Sequence, residues 1–156
     1  MTQEEMFPIT EDALRFLLND TMSKVKARLE YPNGVYTPSS NQEISTLIHN
    51  TFIDITSRHL PFKKGSTNKE PDLINEENSI QIEVKVSSGF EVTGNYVSSR
   101  EGWYIIIFWN PETATPRKLC YGRLLRSDWQ AQGNRSKSNF SKLKRESLDR
   151  LTAIDF

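Results

Sequence analysis

The residues best suited to chemistry lie between Lys69 and Ser88, KEPDLINEENSIQIEVKVSS: Asp72 behind a proline, ten further residues, then the triplet Glu83-Val84-Lys85. Within IQIEVKV, Ile80, Ile82, Val84 and Val86 face one way and Gln81, Glu83 and Lys85 the other, the period of a half-buried strand. Asn75-Glu76-Glu77-Asn78 is turn chemistry, so the run from Pro71 to Ile74 should fold back antiparallel and set Asp72 beside Glu83 across the ladder. Proline is tolerated at the first position of a strand. Two carboxylates a few ångströms apart repel unless a cation lies between them, and hard oxygen donors with room for water suit Mg²⁺ or Mn²⁺. Lys85, on the same face as Glu83, brings an ammonium into that volume, where it can orient or deprotonate an attacking water or hold a phosphate oxygen. A polarised phosphoryl oxygen and an activated water are what phosphodiester hydrolysis requires. The plainer reading is an edge hairpin showing Gln81, Glu83 and Lys85 to solvent, with a cross-strand ion pair worth under about 1 kcal/mol.

Positioning such a group takes a scaffold, and the rest of the chain supplies one. From Thr10 or Asp12 to about Leu29, Ala13, Phe16, Leu17, Met22 and Val25 recur near helical spacing, and YPNGVYTPSSN then breaks the pattern with two prolines and a glycine. Asn41 to about His59 predicts a second helix with Ser40 as N-cap, because Ile44, Leu47, Ile48, Phe52 and Ile55 fall on one stripe. LPFKKGSTNKE, 60–70, is rich in turn formers and lysine. WYIIIFWN, 103–110, is apolar throughout and reads as a strand buried on both faces, so helices should cover the sheet. KLCYGRLL predicts another strand, and a final helix is expected near Ser138 to Leu151. The fold class is therefore α/β (α+β), a central mixed β-sheet flanked by helices in one domain over 1–156.

Pro71-Asp72, ten residues and Glu83-Val84-Lys85 resemble the motif of the PD-(D/E)xK nuclease superfamily, the fold of type II restriction endonucleases and several repair nucleases. The order helix, loop, hairpin, buried strand is similar to the superfamily core over roughly 41–126. The resemblance implies a Mg²⁺-dependent DNA endonuclease, most simply one like a restriction enzyme. Asp72 and Glu83 would be metal ligands, the Val84 carbonyl a third, and Lys85 the catalytic lysine. The family sets an acidic residue on the helix before the hairpin, where this sequence has Glu43; Ser40-Asn41-Gln42-Glu43 is equally a capping box. In restriction enzymes the region after the catalytic strand often reaches DNA. Here Ser87, Asn95, Tyr96, Ser98, Ser99 and Arg100 offer phosphate donors, a stacking ring and a guanine reader, though a plain connection explains them as well. Lys63, Lys64 and Lys69 would touch phosphates. Symmetric double-strand cutting implies a homodimer. A structure-selective repair or junction nuclease and a non-catalytic nucleic-acid-binding module are the alternatives.

Bulk properties agree without deciding. A chain of 156 residues can bury about two-thirds of its unfolded surface in one core. Net charge is zero, but 112–156 holds ten Lys or Arg against five Asp or Glu, a balance of +5 that leaves −5 for 1–111. That basic C-terminal segment fits either a phosphate-facing surface or a solvated face. One cysteine, Cys120, allows no internal disulfide; it reads as an inert core thiol. MTQEEMFPIT lacks the order of a signal peptide and no run is long enough to span a bilayer, so a cytoplasmic protein is expected. His49 and His59 have no partner at zinc-ligand spacing, and no Gly-rich loop announces a nucleotide cofactor.

Overall fold

Helix α1 spans Glu11–Leu29 and α2 spans Asn41–His59, each begun by the hydroxyl before it. Thr10 Oγ1 accepts the Ala13 amide and Ser40 Oγ the Glu43 amide, both at 3.2 Å, satisfying donors that a first turn leaves without helical partners. The computed structural model describes residues 6–30, 40–66, 70–95, 101–131 and 140–156. Leu14, Leu17, Leu18, Met22 and Val25 form the buried stripe of α1. Phe16, expected on that stripe, lies about 200° round the helix from Leu14; it is exposed and meets the His59 ring edge-on.

Among the described residues nine strands follow: β1 Lys63–Lys64, β2 Leu73–Asn75, β3 Ile80–Ser87, β4 Thr93–Asn95, β5 Gly102–Asn110, β6 Thr115–Leu124, β7 Trp129–Ala131, β8 Phe140–Leu143 and β9 Thr152–Asp155, with a short helix α3, Arg145–Arg150, before the last. Six of them make a mixed sheet in the order β1-β2-β3-β5-β6-β9. Its β3–β5 pairing is parallel and its other pairings are antiparallel. The fold is thus a mixed α+β layer. Ile48, Phe52 and Ile55 of α2 pack with Leu73, Ile82, Val84, Ile105, Ile107 and Leu119 on one face. The fully buried Trp109 ties β5 to α2 by donating its indole N–H to Ser45 Oγ at 2.9 Å.

The other face corrects the sequence reading. Tyr104, Ile106, Cys120 and Leu124 are covered by a second sheet, β4-β8-β7, through Val92, Trp129 and Leu143, and not by long helices. The expected final helix is also cut short. Phe140–Leu143 pairs with β4 on one edge and β7 on the other, and only Arg145–Arg150 turns helical. Two ladders outweigh a helical pattern carried by three apolar residues. Cys120 is buried as expected, and burial pushes its thiol up.

Asp128 fastens this second layer. Its buried carboxylate accepts the Leu125 amide at 2.6 Å, the Ser147 hydroxyl at 2.7 Å and the Arg150 guanidinium, joining the turn before β7 to α3. Burial acts to raise its pKa, but the amide, the hydroxyl and the guanidinium outweigh it and hold the group below the usual range. Its stability contribution is therefore present above the ordinary carboxylate value and fades in acid. Asp128→Ala should cost about 1–3 kcal/mol in urea unfolding at neutral pH, because it leaves the buried Ser147 hydroxyl without its acceptor and unties the Leu125 amide and Arg150. A change under about 0.5 kcal/mol would show that the network carries no weight.

Candidate active site

The β2–β3 ladder pairs Asn75 with Ile80, Ile74 with Gln81 and Leu73 with Ile82, and ends there. At the next pair the acidic side chains take over from the backbone. The Asp72 amide donates to Glu83 Oε1 at 3.0 Å, and the Val84 amide donates to Asp72 Oδ2 at 2.8 Å. Each carboxylate is thus held by an amide of the opposite strand, at the fork where the chain before β2 leaves β3. Strand alternation, read from the sequence, brings Asp72 and Glu83 together as expected.

Their electrostatics show two anions in too small a space. Burial, then the negative Asp72, pushes Glu83 up to about 7, while the nearby Lys85 ammonium draws it down. Asp72 moves the other way: burial works against its charge, but the His49 contact and the Val84 amide hold it below the usual range. Without a cation Glu83 is about half protonated at neutral pH, where an ordinary glutamate would be fully charged.

His49 is the residue that sequence reasoning missed. It sits on α2 with Nε2 3.3 Å from Asp72 Oδ2, and Nδ1 3.1 Å from Asn50 Oδ1. Both neighbours are acceptor oxygens, which suits an imidazolium donating from both nitrogens. Burial opposes that charge, yet Asp72 and Asn50 raise the pKa above the ordinary histidine value. Its signal in the sequence was its place on the edge of the α2 stripe, one residue beyond Ile48; motif spacing carried none. Glu43 is exposed in the first turn of α2. Six residues before His49, it is displaced by about 9 Å along the axis and about 120° around it, so one helix cannot direct both at Asp72.

Hard oxygen donors face one another here. Asp72 and Glu83, with the Val84 carbonyl on the same strand, form an open set that leaves several positions to water, the habit of Mg²⁺. Among the described residues no three His, Cys, Asp or Glu side chains are placed to enclose an ion by themselves. A polar cleft of about 350 Å³ opens beside Asp72, lined by His49, Asn50, Asp54, Lys64, Gly65 and Glu70 among others, while Glu83 and Lys85 are not part of its lining. Substrate-sized groups can therefore reach Asp72 from solvent.

The expected DNA contacts are dispersed. Lys63 pairs with Glu76 at 2.8 Å and Lys64 with Asp54, so both ammonium groups have carboxylates at hand. Ser87 Oγ donates to the Glu91 carbonyl at 2.8 Å and accepts the Gly89 amide at 3.1 Å, shaping its loop. Asn95 lies in β4 opposite Phe140. Lys69, Tyr96, Ser98, Ser99 and Arg100 lie outside the described residues. No family model matches this sequence, and neither does any curated protein. Among the described residues no helix is long and apolar enough to cross a membrane.

Proposed function

We propose that the chain is a Mg²⁺-dependent DNA endonuclease of the PD-(D/E)xK type. One observation carries this: Asp72 and Glu83 exchange hydrogen bonds with each other's strands at the end of the ladder, holding two carboxylates together with Lys85 on the same strand face as Glu83. A solvated edge hairpin has no need to force two acids together and raise one of them to about 7. Asp72, Glu83 and the Val84 carbonyl would hold the ion. Bound there, Mg²⁺ supplies positive charge for the phosphoryl oxygen and lowers the pKa of the attacking water. Lys85 orients that water or neutralises the phosphate, and His49 keeps the Asp72 carboxylate fixed and charged. Cutting both strands symmetrically takes two copies of the chain, a homodimer on its target.

The test is incubation of purified protein with supercoiled plasmid and linear genomic DNA in Mg²⁺, Ca²⁺ or EDTA. Cutting in Mg²⁺ alone is the expected result, with discrete fragments for a sequence reader and cutting confined to branched DNA for a junction enzyme. DNA retarded but uncut would leave a binding module on the same fold.

The carboxylate pair also predicts a pH dependence. Glu83 in the fold, at about 7, binds its proton more tightly than the 4.5 of an unperturbed glutamate. That stabilisation is complete below the unfolded value and is lost as pH rises through the folded one. His49, also raised, acts in the same direction, whereas Asp72, lowered, weakens the fold only in acid. In EDTA the Tm should fall between about pH 5 and about pH 8, and Mg²⁺ should raise it most at the alkaline end, where no proton competes for the oxygens. A Mg²⁺ effect on Tm that is equal at both ends would contradict binding at Glu83.

A further inference from the structure

The loop that leaves the catalytic strand holds an aromatic ring in the open. Phe90 is 82 % exposed, although the chain around it is fixed by polar contacts. Ser87 Oγ bridges the Gly89 amide and the Glu91 carbonyl, Arg117 of β6 donates to the Gly89 carbonyl, and the Glu91 carboxylate pairs with Lys142 of β8. Arg117 lays its guanidinium carbon 4.6 Å from the Phe90 ring centroid. One face of the ring is thus backed by a cation, and so high an exposure leaves the other face to solvent. In this position Arg117 Nε is buried without a hydrogen-bond partner. An exposed ring gains nothing for the fold, so an arrangement that fixes it and strands a donor points to a contact surface.

We propose that Phe90, backed by Arg117, is a stacking platform for an unpaired nucleobase of the strand cut at Asp72 and Glu83; the proposal rests on the nuclease reading above. A flat ring polarised by a guanidinium accepts any base, because every base has a π-face. Bases inside a duplex are already stacked on one another, so the platform takes one that is single-stranded or splayed out. Arg117 lies in the segment 112–156 that carries the +5 balance, which suits a polyanion over an apolar peptide. Phe90 lies three residues beyond Ser87, the end of the strand that carries Glu83. The substrate class is therefore DNA with an unpaired base near the scissile phosphate.

Fluorescence anisotropy tests it with a labelled single-stranded oligodeoxynucleotide and its blunt duplex, in Ca²⁺ to separate binding from cutting. Phe90→Ala should weaken single-strand binding by about 5- to 150-fold. Phe90→Trp should keep it, and Phe16→Ala, which removes an exposed ring from α1, should leave it unchanged. A 2-aminopurine walked along the strand should be quenched at one position near the ring. Equal single-strand binding by wild type and Phe90→Ala overturns the platform, as does a wild type that binds no single strand. Loss of self-association in Phe90→Ala with binding unchanged also overturns it, making the ring a contact between copies. If Phe90→Ala loses affinity while wild type cuts neither plasmid nor gapped or branched DNA in Mg²⁺, the nuclease reading falls and Phe90 remains a base-stacking site with no cut strand beside it.

Discussion

Asp72→Asn is expected to lower Mg²⁺-dependent cleavage by roughly a thousandfold or more, since several kcal/mol of charge stabilisation leave with the ion. The same change should cost the metal-free fold little. The asparagine carbonyl can still accept the Val84 amide that now meets Asp72 Oδ2, and its NH₂ can donate to Glu83, replacing repulsion by a hydrogen bond. Glu83 then loses the second cause of its raised pKa, the negative neighbour, and keeps the first, burial. Against that, the His49 ring loses the anion that raises its pKa. The Tm in EDTA should therefore fall only modestly while the Mg²⁺-induced rise disappears. Loss of that rise separates a ligand from a structural acid: replacing an Asp72 that merely braced the hairpin would lower the Tm in EDTA and leave the Mg²⁺-induced rise intact. Cleavage within about threefold of wild type would remove Asp72 from the site altogether.

The hairpin was legible because its information is local. A two-residue period fixed which way Glu83 and Lys85 point, and the turn residues fixed that the chain folds back; the turn itself spans 76–79, one residue later than Asn75–Asn78, and that register sets Asp72 opposite Glu83. The two long helices were legible for the same reason, down to Ser40 as a cap. What stayed hidden depends on how separate elements lie across one another. Glu43 and His49 share a helix, and only the docking of α2 on the sheet decides which of them meets Asp72. Nothing in the spacing of either residue encodes that docking, so His49 read as an unpartnered histidine. The β8 strand was hidden likewise. Phe140-Ser141-Lys142-Leu143 alternates weakly, β7 before it is only three residues long, and its other partner β4 lies far away in sequence. Non-local pairing of short strands leaves little trace in composition.

On the proposed nuclease reading, a methyl group at Gly65 should remove most of the cleavage rate by displacing Asp72. Gly65 lies just after β1, where its amide donates to the Asp72 carbonyl at 3.1 Å and carries the β1–β2 pairing one step past Lys64–Leu73. A Cβ built there would lie 2.2 Å from the Pro71 carbonyl oxygen and 3.2 Å from Glu70 Cβ, and the first contact is backbone that no side-chain rotation relieves. One strand must move by nearly an ångström. Pro71 and Asp72 precede β2, where the ladder to β3 has already stopped, so they yield more easily than the paired residues from Leu73 on. Displacing Asp72 by that amount pulls it from the Val84 amide and from His49, and a misplacement near 1 Å costs on the order of a hundredfold in rate. Because the edge can shift as a unit, the stability loss should be only about 1–3 kcal/mol. Gly65→Ala should thus remain folded, show a lower Tm, and cut about a hundredfold more slowly with weakened Mg²⁺ dependence of its Tm. Gly65→Ala cutting at the wild-type rate would mean that the close approach of Gly65 to Pro71 has no part in holding Asp72.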